Sequence, residues 1–364
     1  MECKMRRNYY VMFLIVMLGL AGCSAKNGET EQREDKAVLE SATEFPENMK
    51  EIINEVEFDL KVEVPENVDL NTIKKSIAVR QIPKADNIIN IFAENKNVAD
   101  EYRGEFEGEN SVMYDTYYAK YDDESLISID TTLVYSTPFF EKIHSAFHVE
   151  DGELYNADKY LLPTLNFQSP EVCFEEVKKL INQSGYELGE CHYEYFSLDY
   201  NTMQQEESHV EMEGKNIESE KSIWTEEDDC YYFFAEQLHD GIPVYFGEQD
   251  FPQDSIENRP IQAVCSKDGL KRLDVAKVYT FETTDENIKL KQFDEIAQKV
   301  ADKYGNILTG AKYTATRAKL YQMPVKTSAG KYEVKTVWLF EVFETGIDSE
   351  TGEDFKNVLY TCID

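Results

Sequence analysis

Basic residues are scarce in this chain. Its 364 residues carry 37 Lys and Arg against 71 Asp and Glu, for a net charge of −34. A surface so acidic repels nucleic acid and anionic lipid headgroups, and it favours solubility, a cation atmosphere and basic partners. No nucleic-acid partner is expected. Long apolar runs are also missing. The longest, Val11–Leu20, is half of the roughly 20 residues that a membrane-spanning helix needs. The chain has no Gly-x-Ser-x-Gly, no phosphate-binding glycine loop, no Cys-x-x-Cys and no His-Glu-x-x-His. It therefore lacks the local signatures of common serine hydrolases, nucleotide enzymes, thiol oxidoreductases and zinc proteases. Paired carboxylates for glycoside hydrolysis carry no signal, because 71 acids supply every spacing. The expectation is a protein that is not an enzyme and holds no cofactor.

What is present begins at the N-terminus. Met1–Tyr10 carries Lys4, Arg6 and Arg7, and the apolar run ends in Leu20-Ala21-Gly22-Cys23. A basic head, a short apolar stretch and a small-residue cleavage site read as a secretory signal. The terminal cysteine makes the segment resemble a bacterial lipoprotein signal, with Leu20, Ala21, Gly22 and Cys23 as the lipobox. That resemblance implies cleavage before Cys23 and a diacylglycerol on its sulfur. Two acyl chains on one residue satisfy the requirement for stable anchoring, so the expected location is the cell membrane, facing outside the cytoplasm. With Cys3 removed and Cys23 lipidated, Cys173, Cys191, Cys230, Cys265 and Cys362 remain. They are odd in number and lack a pairing pattern, so most read as buried apolar side chains.

Residues 1–22 thus form the signal and 23–46 a polar tether rich in Glu, Lys, Asn and Thr. The fold class read beyond it is α+β, with antiparallel sheets each covered by a helix. An N-terminal domain over 47–165 opens on the alternation Val56, Phe58, Leu60, Val62, Val64, which marks a half-buried strand. A helix over Ala85–Lys96 and a hairpin of Ser111–Lys120 with Ser125–Tyr135 follow. A C-terminal domain over 166–364 reads as two α-β-β-β repeats, at about 169–283 and 284–364. Ser169 caps the first helix, Pro170 starts it and Gly185 ends it. The second, about Lys291–Tyr304, follows the same plan and stops at Gly305. Phe233–Ile242 aligns without gaps to Trp338–Ile347. The acidic segment Asn201–Asp229 in the first repeat reads as a mobile loop.

The aromatic strand ending in Asp240-Gly241-Ile242-Pro243-Val244, followed by a strand closing on Lys267-Asp268-Gly269, resembles the PepSY-like and YycH/YycI-like extracytoplasmic modules. As a whole the chain resembles an uncharacterised lipoprotein of clostridia-like Gram-positive bacteria. The resemblance implies inhibition or regulation of an envelope protein through protein contacts, and it carries over no catalytic residue. The other expected role is binding of cell-wall glycan or a small ligand, for which Tyr114, Tyr117, Tyr118 and Tyr121 are candidate stacking groups. A hydrolase is the least favoured reading. His144 and His148 have helical ligand spacing, but Ser145 stands where a zinc protease has glutamate. Ser328-Ala329-Gly330-Lys331 matches Ser-x-x-Lys but reads as a hairpin turn. Asp348–Asp354 departs from the EF-hand spacing and reads as a strand connection with weak divalent cation binding at most.

Overall fold

The computed structural model describes residues 45–66, 68–107, 113–150, 153–207, 222–248, 251–307, 310–328 and 331–364. Leu20, Ala21, Gly22, Cys23 and the tether to residue 44 lie outside the described residues. The first elements are β1 (Asn48–Ile53), β2 (Val56–Glu63), β3 (Lys74–Arg80) and α1 (Ala85–Phe92). A meander follows: β4 (Val98–Glu107), β5 (Met113–Tyr121), β6 (Leu126–Ile129) and β7 (Leu133–Ser136). Next come α2 (Pro138–His144), the short β8 (Val149–Glu150) and β9 (Glu153–Leu154), α3 (Pro170–Gln183), β10 (Cys191–Leu198) and α4 (Tyr200–Glu206). The rest is β11 (Cys230–His239), β12 (Ile242–Pro243), β13 (Ile261–Ser266), β14 (Gly269–Val275), β15 (Tyr279–Asn287), α5 (Phe293–Tyr304), β16 (Lys312–Ser328), β17 (Lys331–Ile347) and β18 (Asp354–Ile363).

The class is α+β, dominated by two large sheets. The first runs β1-β2-β16-β17-β3-β15, with β18 also on β17; the second runs β10-β11-β13-β14-β7-β6-β5-β4, with β12 on β11. The sheets therefore do not divide the chain near residue 166. β1–β3 join the C-terminal strands, and β4–β7 join the middle ones. Nor is the pairing wholly antiparallel, since β2 lies parallel to β16. Local periodicity identifies a strand but not its distant neighbour, which is why the sequence suggests consecutive domains.

Local chemistry explains most elements. β2 alternates buried and exposed residues as its pattern requires. The β1–β2 turn is the two-residue pair Asn54-Glu55, both at positive φ, the geometry that matches strand twist in tight hairpins. The expected strand Ser125–Tyr135 breaks into β6 and β7. Asp130 folds it by accepting from Thr132 N and Oγ1 at 2.7 and 2.8 Å, while Ile127, Ile129, Leu133 and Tyr135 stay on the buried side. α3 begins as expected, with the Ser169 hydroxyl accepting from Val172 N and Gly185 at φ +100° beyond its end. Gly305 ends α5 for a different reason. Its φ is ordinary, but a Cβ there would strike the Asn54 carbonyl.

Burial is two-sided where the sheets are deepest. α1 and α3 cover one face of the second sheet through Ile88, Phe92, Phe174, Val177 and Ile181. α2, α4 and Trp224 cover the other, against Tyr232 and Phe234. β11 is consequently buried on both faces along most of its length. The acidic segment read as a loop is thus partly core. Asp199 caps α4 through Thr202 N, and the Trp224 indole donates to Glu207 at 3.1 Å; residues 208–221 lie outside the described residues. On the first sheet, α5 packs against Trp338, Phe340 and Val342.

Candidate ligand cleft between the two sheets

The Asp240–Val244 motif joins the sheets. Asp240 and Gly241, both at positive φ, turn β11 into β12. Val244 then pairs with Gln322 of β16, and Tyr245 N donates to Gln322 O at 2.8 Å. The segment is a strap that leaves the second sheet and lies on the first, where Tyr245 packs edge-on against Tyr321. The aligned stretch Thr345-Gly346-Ile347 has no such turn and simply continues β17.

Beside the strap lies a cleft of about 560 Å³. Arg80, Tyr279, Met323 and Tyr332 line it from the first sheet, Phe106 and Tyr114 from the second, and Tyr245 from the strap. The aromatic walls are braced. Phe106 stacks on Tyr114 with centroids 5.4 Å apart, and Tyr332 meets Tyr279 edge-on at 5.4 Å. Gln237 holds Tyr279 at both backbone atoms: its amide nitrogen donates to Tyr279 O at 3.0 Å and its amide oxygen accepts from Tyr279 N at 2.8 Å. Among the described residues, three cations, Arg80, Lys277 and Lys326, share the cleft with one acid, Glu248. In so acidic a chain that local excess of positive charge stands out. Arg80 donates one Nη to Thr131 O at 3.1 Å, and its buried Nε has no hydrogen-bond partner among the described residues. Burial lowers the Lys277 ammonium from its ordinary range, and its Nζ donates to Phe246 O at 2.7 Å. A larger hollow of about 800 Å³ near the start of α1 balances Lys84 and Arg103 against Asp86 and Asp115.

On the other side of Tyr245 the sheets are tied by buried ions. Arg259 pairs with the fully buried Glu236 of β11, and its other Nη lies 3.5 Å from Glu194. Asp254 pairs with Arg317 of β16 and accepts from the Tyr321 hydroxyl at 2.6 Å. Lys319 Nζ and His192 Nδ1 approach the same oxygen of Glu236, at 3.7 and 3.5 Å. Burial lowers both of these groups, Lys319 to about 8; Asp254 opposes that shift, while Arg259 and Arg317 reinforce it.

The residues singled out by spacing do not form a common site. His144 ends α2 and packs against Phe140, whereas His148 lies beyond the helix and meets Glu206 O at 3.1 Å. Ser328 and Lys331 are cross-strand partners at the β16–β17 turn. The Asp348 carboxylate accepts from Glu350 N and Thr351 N in its own loop. The tyrosines are only partly brought together: Tyr114 reaches the cleft and, with Tyr117, also lines the larger hollow near α1, Tyr118 is exposed, and the hydroxyls of buried Tyr117 and Tyr121 bond each other at 3.1 Å. Tyr245, Tyr279 and Tyr332 were not distinguishable by spacing, because chain segments far apart bring them together.

No protein-family model and no curated protein matches the chain. Among solved structures, an uncharacterized protein from Eubacterium rectale is similar, with a TM-score of 0.59 and 17% identity over 88% of this chain and 91% of that one. The likeness is one of fold. The Bacillus megaterium YpeB C-terminal domain aligns over 77% of this chain and 99% of its own length, with a TM-score of 0.25 and 10% identity, which bears no structural argument.

Proposed function

We propose that the chain is a non-enzymatic binding protein whose cleft takes an anionic, ring-bearing ligand of the cell envelope, an acidic glycan. The observation that carries the reading is the join of aromatic walls to three cations in a chain otherwise dominated by acids. Aromatic faces take sugar rings, and guanidinium and ammonium groups take carboxylates. Nucleic acid presents the same chemistry at far higher charge density, which a net charge of −34 disfavours. Oligogalacturonate, a chain of uronic acids, is expected to bind, and neutral maltohexaose to bind far more weakly. Arg80→Met should weaken the acidic glycan about ten-fold or more, the loss of one charge-assisted hydrogen bond. Equal affinity of the two glycans in titration calorimetry, or no change in Arg80→Met, overturns the proposal.

The proposal also places the protein outside the membrane on a lipid at Cys23, raised by the polar tether. Cys23→Ala should abolish incorporation of labelled fatty acid; persistent labelling refutes the anchor. The C-terminal half fits tandem PepSY-like copies: α3 with β10, β11 and β13 has the same consecutive order as α5 with β16, β17 and β18, and aligned Phe233 and Trp338 each lie in the core with their own helix. A second reading, regulation of an envelope protein, is favoured by β4. Among the described residues it is the outer strand of its sheet, paired on one edge only, and it is exposed along most of its length; its Asp100, Glu101, Glu105 and Glu107 suit a basic partner strand.

A further inference from the structure

We infer that Cys173 and Cys265 form a site of covalent modification, oxidised by an external disulfide to a bond that fastens α3 to β13. They stand far apart in the chain, and the fold brings them together from two sides of one core. Cys173 belongs to the inner stripe of α3, with Phe174, Val177 and Ile181. Cys265 lies on β13 directly opposite Tyr231 of β11, in the core that α3 covers. Cys173 is completely buried there and Cys265 is 4% exposed.

The two sulfurs are in contact. The Cys173 thiol donates a hydrogen bond to Cys265. That bond, with burial behind it, raises the Cys173 thiol from its ordinary range; it lowers Cys265, against the opposing effect of burial. α3 and β13 come within 8 Å of each other, Cα to Cα, and a disulfide spans roughly 4.4–6.8 Å. Closing the bond therefore asks only a small shift of the first turn of α3. The other cysteines of the described residues are placed elsewhere. Cys230 neighbours Tyr231 on β11 and points to the opposite core, with Phe140 and Trp224. Cys191 of β10 faces Gln237, roughly 20 Å along β11 from Tyr231 at about 3.3 Å per residue. Cys362 packs with Tyr245 on the first sheet.

Cys265, the more acidic of the two, is the attacking group. Its thiolate displaces one thiolate from the external disulfide and is left as a mixed disulfide. Cys173 gives up its proton and attacks the Cys265 sulfur, which expels the second thiolate. Two protein thiols are oxidised, the external disulfide is reduced to two thiols, and the two cysteine protons pass to them. Both sulfurs are shielded in the closed fold, so the exchange waits on local opening of α3. The bond then restrains the unfolded chain between the two cysteines. The inference needs neither the cleft nor a lipid at Cys23.

The full chain, reduced and then incubated with oxidised glutathione, is denatured in an alkylating agent and mapped by mass spectrometry. A parallel sample is oxidised in urea just below the unfolding transition, where α3 can open. Peptides joined through Cys173 and Cys265 are expected, with Cys191, Cys230 and Cys362 alkylated. The oxidised chain should unfold about 5 °C or more above the reduced one, and dithiothreitol should reverse the rise. Cys173→Ala, its fold checked by circular dichroism, should lose both the joined peptides and the rise. The unsubstituted chain already decides the matter. Either cysteine alkylated in both samples, left as a glutathione adduct or joined to another cysteine overturns the inference. A joined pair with no rise in unfolding temperature does the same.

Discussion

Arg259→Ala should cost the protein about 3–5 kcal/mol of stability, the loss typical when one partner of a buried ion pair is removed. The guanidinium is 7% exposed, pairs with Glu236, lies within 4.0 Å of Asp254 and stacks 5.2 Å from the Phe246 ring. Removing it leaves the Glu236 carboxylate in a dry interior with Lys319 and His192 at more than hydrogen-bond distance. A carboxylate held that way is strongly disfavoured. The penalty belongs to the orphaned charge and not to the worth of the pair. Arg259→Met combined with Glu236→Gln should therefore recover most of the loss, because it removes the charge and keeps the volume. Asp254 is less exposed to the change, since Arg317 and Tyr321 still hold it. Urea unfolding of the single and double variants checks both statements. A single variant that loses less than about 1 kcal/mol, or a double variant no better than the single, would show that the network does not bear on the junction of the sheets.

Much of the secondary structure was legible because it is written in neighbouring residues. The α3 cap needs only Ser169, Pro170 and the stripe behind them, and β2 needs only its alternation. Elements without a local pattern stayed hidden. β4 is exposed along most of its length, so burial imposes no period on Val98–Glu107. β11 is buried on both faces, which erases alternation in the opposite way. The Asn54-Glu55 turn lacks the glycine that usually announces such a hairpin. Trp224 looked like part of an acidic loop because its partners, Glu207 and α2, are outside any local window. The cleft was least legible. Arg80, Tyr114, Tyr245, Lys277 and Tyr332 have no shared spacing, and the long-range pairing of β3 with β17 and of Val244 with Gln322 places them together.

Phe340→Ala is the matching test of that long-range assembly, with an expected loss of about 3–5 kcal/mol. Phe340 is fully buried in the middle of β17, opposite Ala318 of β16 and Thr361 of β18. Its ring stacks on Phe293 of α5 at 6.2 Å, and Phe293 also meets Trp338 edge-on at 5.1 Å. The strand that carries it pairs with β16, β18 and β3, so β17 ties the N-terminal and C-terminal parts of the first sheet. Truncation removes the side chain that holds α5 to this junction, and the flanking residues on the strand are too constrained to collapse into the space. Phe340→Leu retains most of the volume and should cost less than about 1.5 kcal/mol. Val358→Ala, on the neighbouring strand but 49% exposed, should stay within about 0.5 kcal/mol of the parent. Urea midpoints for the three variants separate a cavity from a general intolerance of the sheet. Equal losses in all three would place the stability in strand pairing itself, and a Phe340→Ala loss below about 1 kcal/mol would remove α5 from the core that holds the first sheet together.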